Sequence, residues 1–221
     1  MIKPNMATML GFIATDAAIP SDALHAALQL SVAQTFNRIT IDGDTSTNDA
    51  VVVLATGSGA EIAPSDEQNL ATFQNGLNEV CEALAKAIVA DGEGATKFVE
   101  VAVKSASEKT SLTIAYTVAE SPLVKTALFA SDPNWGRILA AIGRAPAADF
   151  KIEEVAIYLG DYQIVRNGSV VDDYDEAQAA RVMQDNAIKI SIEIGNGEHQ
   201  CTVWTTDLSY DYIKINAEYR T

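Results

Sequence analysis

Short apolar runs alternate along this chain with stretches in which apolar residues recur every three or four positions. Residues 7–14 (ATMLGFIA) and 50–57 (AVVVLATG) have the length and composition of buried strands. Residues 21–36 carry an apolar stripe at helical spacing, and residues 66–90 carry the longest one. The first part of the chain therefore predicts alternating strands and helices.

The later part of the chain predicts more strands, with antiparallel pairs. RITI (38–41) and KFVEVAVK (97–104) have the composition of strands. Proline at the first helical position predicts helices that begin at Ser121-Pro122 and at Asp132-Pro133. Residues beyond Gly143 predict the strands EVAIYLG and YQIVRNG, a helix over about 173–186, and a hairpin IKISIEIG-NGEH-QCTVWTTD that turns at Asn196-Gly197.

The order of these elements predicts a layered α/β fold with mixed sheets and a smaller C-terminal lobe. We expect a main α/β domain over residues 8–147 and a C-terminal α/β lobe over residues 148–221. Residues 1–7 are then a short segment ahead of the main domain.

The charge of the chain argues against two classes of partner. Lys and Arg number 15 against 30 Asp and Glu, a formal net charge of -15, which repels nucleic-acid phosphates and anionic lipids. No apolar run approaches the roughly 20 residues of a membrane-spanning helix, and the start of the chain lacks the order of a signal peptide. We therefore expect a cytoplasmic protein that binds neither nucleic acid nor membrane.

Cysteine and histidine are too sparse to suggest a metal site. Cys81 and Cys201 stand alone without CxxC spacing, and His25 and His199 have no second ligand nearby in sequence. We expect no metal and two buried thiols. A catalytic nucleophile in this chain would then need a base other than histidine.

Thr8 is the candidate nucleophile, because the α-amine of the same residue can serve as its base. If the Ala7-Thr8 bond is cut, Thr8 gains an amine whose ordinary pKa is about 7.7 to 8.0, which suits a general base near neutral pH. The Thr8 hydroxyl can make the cut itself, by attack on the Ala7 carbonyl and an acyl shift. The alternative is that Thr8 only begins a strand, where β-branched residues are common.

Five stretches of sequence resemble the ornithine acetyltransferase family, the bifunctional glutamate N-acetyltransferases of arginine biosynthesis. They span the whole chain in order: MIKPNMATMLGFIATDA, FNRITIDGDTSTND, DGEGATKFVEV, SPLVKTALFASDPNWGRILAAIGR and DYIKINAEYRT. The resemblance implies the self-cleaving fold of that family. It also implies a transferase that moves an acetyl group from N-acetylornithine to glutamate by a ping-pong route. No cofactor is implied, although acetyl-CoA is a further donor in some members.

The resemblance assigns roles to particular residues. The family's cleavage site and nucleophile fall on Ala7 and Thr8, so the acyl-enzyme is an acetyl ester of Thr8. Substrate contacts fall on Glu93, Asn216 and Thr221, with Glu93 holding the amine end of the amino acid. Without the family, Glu93 is a solvated charge in a glycine-rich turn, and the other two belong to a frayed terminus. DGDTSTND either shapes the pocket or ties its own loop with local bonds.

One departure from the family pattern concerns the segment before the nucleophile. Family precursors carry a long segment there, which holds the oxyanion hole, and only seven residues precede Thr8 here. We expect an obligate α chain from the same precursor in a hetero-oligomer, and little activity without it. Two other functions stay open: a self-cleaving aminopeptidase or amidase in which water accepts the acyl group, and a non-catalytic subunit.

Overall fold

The computed structural model describes residues 1, 3, 9–45, 48–147 and 150–218. Within these ranges the chain is a mixed α/β protein that divides into two compact units, Met1–Ile88 and Val89–Thr221. No helix among the described residues is both long and apolar enough to cross a membrane.

The first unit is built on two parallel strands. Its elements in chain order are β1 Leu10–Thr15, α1 Ser21–Gln34, a 3₁₀ turn Phe36–Arg38, β2 Ala50–Ala55 and α2 Glu67–Ala90, the last of which continues into the second unit. β1 pairs with β2 in parallel, from Leu10 opposite Ala50 to Thr15 opposite Ala55. Both strands and both helices were predicted, to within a few residues at each end.

A polar network joins α1 to α2. The Ser31 hydroxyl donates to the Asn78 side-chain oxygen at 2.7 Å, and the Gln74 amide donates to the Ala27 carbonyl at 3.1 Å and to the Ser31 hydroxyl at 2.8 Å. Ser31 is fully buried, so these bonds satisfy polar groups that would otherwise destabilise the helix pair.

The predicted strand RITI is reduced to a single β-bridge at Ile39. Residues Phe36–Arg38 make a 3₁₀ turn instead, and β2 is the partner of β1. Ile39 and Ile41 are nevertheless buried. The apolar alternation predicted the burial of both residues correctly.

The second unit is a six-stranded mixed sheet with helices. Its elements are β3 Phe98–Ser105, α3 Glu108–Ala119, α4 Pro122–Phe129, α5 Trp135–Gly143, a 3₁₀ turn Ile152–Glu154, β4 Val155–Leu159, β5 Tyr162–Arg166, β6 Ser169–Val170, α6 Glu176–Met183, β7 Ala187–Ile194, β8 His199–Thr206 and α7 Tyr210–Glu218. The strand order is β6-β5-β4-β7-β3-β8. α3 packs against β3 and β8, and the core is rich in Val and Ile.

The division between the units lies elsewhere than the expected boundary between residues 147 and 148. β3 pairs with β7 in parallel and with β8 in antiparallel fashion. Strands from both sides of that boundary therefore share one sheet, and the chain divides after Ile88 instead.

The predicted hairpin between β7 and β8 is also wrong, because β3 lies between these two strands. The loop that joins them crosses the end of β3 closely. A Cβ atom on Gly197 would lie 1.9 Å from the carbonyl carbon of Ser105. Gly197 is thus required for a close crossing of backbones, whereas its position after Asn196 predicts a tight hairpin turn.

Proline predicted the first residue of one of two helices in this unit and not of the other. α4 begins at Pro122 after Ser121, as predicted. α5 begins at Trp135 rather than directly after Asp132, because the Asn134 side chain accepts a hydrogen bond from the Arg137 amide and caps the helix there.

Candidate functional site

Glu93 and Asn216 lie in contact although they are 123 residues apart in sequence. Glu93 is in the turn that follows α2, and Asn216 is on α7. The Asn216 amide nitrogen donates to Glu93 Oε2 at 2.9 Å and to the Tyr212 carbonyl at 3.0 Å. Both side chains are exposed, so a carboxylate and an amide stand side by side where a small polar ligand can reach them.

The turn that carries Glu93 is fastened to the start of α7. Ser209 is buried, and its hydroxyl donates to the Gly94 carbonyl at 2.6 Å and accepts from the Tyr212 amide at 3.2 Å. Gly94 has a φ of +65°, and a Cβ there would lie 2.5 Å from the Tyr212 nitrogen. Only glycine permits both this conformation and this close approach.

Asp207 fixes the next part of the same chain segment. The carboxylate of this buried residue accepts from the Thr96 amide at 2.8 Å, the Lys97 amide at 2.9 Å and the Thr96 hydroxyl at 2.6 Å. Lys97 in turn donates from Nζ to the Met183 carbonyl at 2.6 Å. Charge-assisted bonds of this kind are stronger than neutral ones, so the base of the Glu93 turn is held firmly.

Sequence reasoning did not assign roles to Asp207 and Ser209. The residues that they bind, Thr96 and Gly94, are more than a hundred positions away, and no local pattern joins them. An acid that directly follows an apolar strand was the only available signal, and such residues more often cap a turn.

Ala7, Thr8 and Thr221, the other predicted site residues, lie outside the described residues. The structure does describe Met9, which follows Thr8. The Met9 amide donates to Asp49 Oδ1 at 2.5 Å, and the Met9 carbonyl accepts from the Ala50 amide at 2.9 Å. The Met9 side chain is buried.

The described part of the DGDTSTND loop contains several local bonds. The Asp44 amide donates to Asp42 Oδ1 at 3.1 Å, and the Gly43 amide donates to the Thr40 hydroxyl at 3.2 Å. These bonds fit the interpretation that the loop's acids tie its own backbone. Asp49 differs, because it binds the amide of Met9, the residue before β1.

Neither thiol is arranged for chemistry. Cys81 and Cys201 are buried and form no disulfide. Burial raises the pKa of the Cys81 thiol, and a hydrogen bond with Ser31 offsets this rise only in part. Among the described residues, no three His, Cys, Asp or Glu side chains cluster as metal ligands.

The fold is shared with a protein of known structure. The crystal structure of the arginine biosynthesis bifunctional protein argJ from Bacillus halodurans matches with a TM-score of 0.89 and 40% identity, over 96% of this chain and 100% of that chain. The predicted class, a layered α/β fold with mixed sheets, is therefore confirmed.

Sequence comparison gives the family. A model described as the ArgJ family matches residues 1–221. Proteins named arginine biosynthesis bifunctional protein ArgJ are 53% identical in Pseudomonas fluorescens (strain Pf0-1) and 49% identical in Pseudomonas syringae pv. tomato (strain ATCC BAA-871 / DC3000), each over 100% of this chain and 55% of the relative. The chain belongs to the ArgJ family. It spans about half the length of the curated relatives that it matches.

Proposed function

We propose that this chain is the nucleophile-bearing part of a glutamate N-acetyltransferase of arginine biosynthesis. In this proposal the Ala7-Thr8 bond is cut by autoproteolysis, and the new Thr8 carries the acetyl group from N-acetylornithine to glutamate. The names of the relatives, which describe arginine biosynthesis bifunctional proteins, support the pathway.

The contact between Glu93 and Asn216 is the observation that carries the proposal. Both were expected to hold substrate, and the Asn216 amide lies 2.9 Å from Glu93 Oε2. A carboxylate accepts hydrogen bonds from the ammonium group of an amino acid, and an amide donates to its carboxylate. N-acetylornithine, whose α-nitrogen is acylated, brings a side-chain ammonium group and a carboxylate to this pair, and glutamate brings its carboxylate, so one polar pair can contact a substrate in each half-reaction.

The chemistry runs in two matched steps. The Thr8 hydroxyl attacks the acetyl carbonyl of N-acetylornithine, and its proton passes to the Thr8 amine. The C–N bond then breaks, the proton is delivered to the departing ornithine nitrogen, and an acetyl ester of Thr8 is left. Glutamate's neutral amine attacks this ester in the same manner, so N-acetylglutamate leaves and the hydroxyl regains its proton.

An exposed apolar face on the first unit supports a partner chain. On one side of the β1-β2 pair, Phe12 is 70% exposed and Leu54 is 60% exposed, with Leu10 and Val52 on the same face. Two strands with an uncovered apolar side are only marginally stable in water. The relatives are nearly twice as long as this chain, so we propose that their remaining part, as an α chain, covers this face and supplies the oxyanion hole.

Mass spectrometry after brief incubation with N-acetylornithine tests the proposal, with the α chain present. We expect an acetyl group on Thr8 that glutamate removes, and we expect Thr8→Ala to abolish both the adduct and the cleavage. Thr8→Ser is the matched control, since it keeps a hydroxyl and should retain both.

The same experiment separates the rival functions. An adduct that water clears as fast as glutamate does would indicate an aminopeptidase or amidase. No adduct in the complete assembly would indicate a non-catalytic subunit. Either result contradicts the transferase.

A further inference from the structure

Lys125 is a buried lysine of α4 that the proposed chemistry does not use. Only 3% of its surface is exposed. Its Nζ donates to the Thr205 hydroxyl at 3.0 Å, to the Thr206 hydroxyl at 3.4 Å and to the Thr206 carbonyl. A buried ammonium group destabilises a protein unless hydrogen bonds replace those it made with water, so these bonds tie Lys125 to the end of β8.

α4 contacts the chain around the start of α7 at two further points. The Leu208 amide donates to the Lys125 carbonyl at 3.1 Å. One turn along α4, the ring of Phe129 meets the ring of Tyr210 edge to face, with the centroids 5.4 Å apart and the planes at 87°. Residues 205–210 are therefore held against α4 by an ammonium group, a carbonyl and an aromatic ring.

The residue between the two backbone contacts of Lys125 is Asp207. Lys125 binds the carbonyl of the residue before Asp207 and the amide of the residue after it. The Asp207 carboxylate in turn accepts from the Thr96 amide at 2.8 Å and the Lys97 amide at 2.9 Å. Lys125 thus fixes the backbone on both sides of the carboxylate that holds the base of the Glu93 turn.

We infer that Lys125 is a positioning residue of the proposed substrate site. It acts on both halves of the site, because Asp207 holds the Glu93 turn and residues 205–210 lead directly into the helix of Asn216. Since Lys125 is buried, it acts through these groups and not by contact with substrate. The inference rests on the proposed function, in which Glu93 and Asn216 bind the amino acid.

The position of these groups matters because binding and catalysis depend on it steeply. A misplacement of about 1 Å in a site can cost on the order of 100-fold in rate. A side chain that only filled the space of Lys125 would leave the Thr206 carbonyl without this donor and free to shift. Asp207 is the next residue, so we expect such a shift to reach the Glu93 turn.

Lys125→Met in the cleaved protein with its α chain tests the inference, since methionine has a similar length and no donor. We expect KM for N-acetylornithine and for glutamate to rise about tenfold, the effect of losing one charge-assisted hydrogen bond. kcat should fall by less than about threefold, because the lost interaction serves binding. The Thr96 and Lys97 amides, which Asp207 binds, should exchange with deuterium faster than in wild type.

Two controls separate positioning from stability and from charge. Ile157→Ala opens a cavity at a fully buried position of β4 in the same unit, so it should destabilise the protein and leave KM unchanged. Lys109→Met removes the same charge from an exposed position of α3 and should change neither KM nor stability.

If Lys125→Met does not fold, Thr205→Val takes its place, because it keeps the shape of the side chain and removes one acceptor of the ammonium group. It should raise KM by a smaller factor. Unchanged KM in the variant that folds, an equal rise in Ile157→Ala, or a rise without faster exchange at Thr96 and Lys97 overturns the inference and leaves the transferase standing. A wild-type complex that transfers no acetyl group overturns the proposed function itself.

Discussion

Gly94→Ala should loosen the candidate site by separating the Glu93 turn from α7. Gly94 has a φ of +65°, a conformation that costs a residue with a Cβ about 1–2 kcal/mol. The added methyl would lie 2.5 Å from the Tyr212 nitrogen and 2.9 Å from the Asp211 carbonyl carbon. Both atoms belong to the backbone, so no side-chain rotation relieves the contact.

Overpacking of this kind typically costs about 1–3 kcal/mol. The two effects together predict a loss of about 2–5 kcal/mol in the free energy of unfolding, measured by urea denaturation. We also expect KM for both amino-acid substrates to rise, because the Asn216 amide moves away from Glu93.

Gly143→Ala is the matched control. Gly143 ends α5 in the same unit, and a Cβ there would meet nothing within 4 Å. Alanine should stabilise the helix by up to about 1 kcal/mol. The reasoning fails if Gly94→Ala unfolds at the same urea concentration as wild type, or if it is destabilised while KM stays unchanged.

Three further predictions concern the second unit and the thiol of the first. Asp207→Ala removes three hydrogen bonds and should lower the free energy of unfolding by about 3–5 kcal/mol in a urea titration. Asp207→Asn should lower it by less. Equal losses for the two variants would argue that the carboxylate does not hold the Glu93 turn. Gly197→Ala should cost about 1–3 kcal/mol by the same assay, because its methyl would overlap the Ser105 backbone, and a neutral effect would contradict the close crossing of β3. Because burial raises the pKa of the Cys81 thiol, this thiol should react with iodoacetamide more slowly in folded than in urea-unfolded protein at pH 8, and equal rates would exclude the shift. The stabilisation linked to this shift is present below the ordinary thiol pKa of about 8.5 and is lost as pH rises through the folded value.

Local patterns predicted the elements of this fold better than their pairing. The apolar stripes of α1 and α2 lie within one chain segment each, and both helices formed near the predicted bounds. The predicted hairpin between β7 and β8 was wrong, because alternation and an Asn-Gly turn are local signals. The position of β3 between these two strands depends on packing that involves distant parts of the sequence.

The candidate site shows the same limit. Thr8, Glu93 and Asn216 were named from the family resemblance and from the chemistry of an amine beside a hydroxyl, and only the contact of Glu93 with Asn216 falls within the described residues. Asp49 lay in a loop already singled out, yet no spacing in the sequence encodes its bond to Met9. Supporting residues are hard to predict because their partners are set by the fold.

N-terminal sequencing of the catalytically active protein tests the central claim most directly. If the hydroxyl and the amine of one residue perform the chemistry, a polypeptide must begin at Thr8 and a second polypeptide must accompany it. Active protein in which the chain runs unbroken through the Ala7-Thr8 bond would contradict the account.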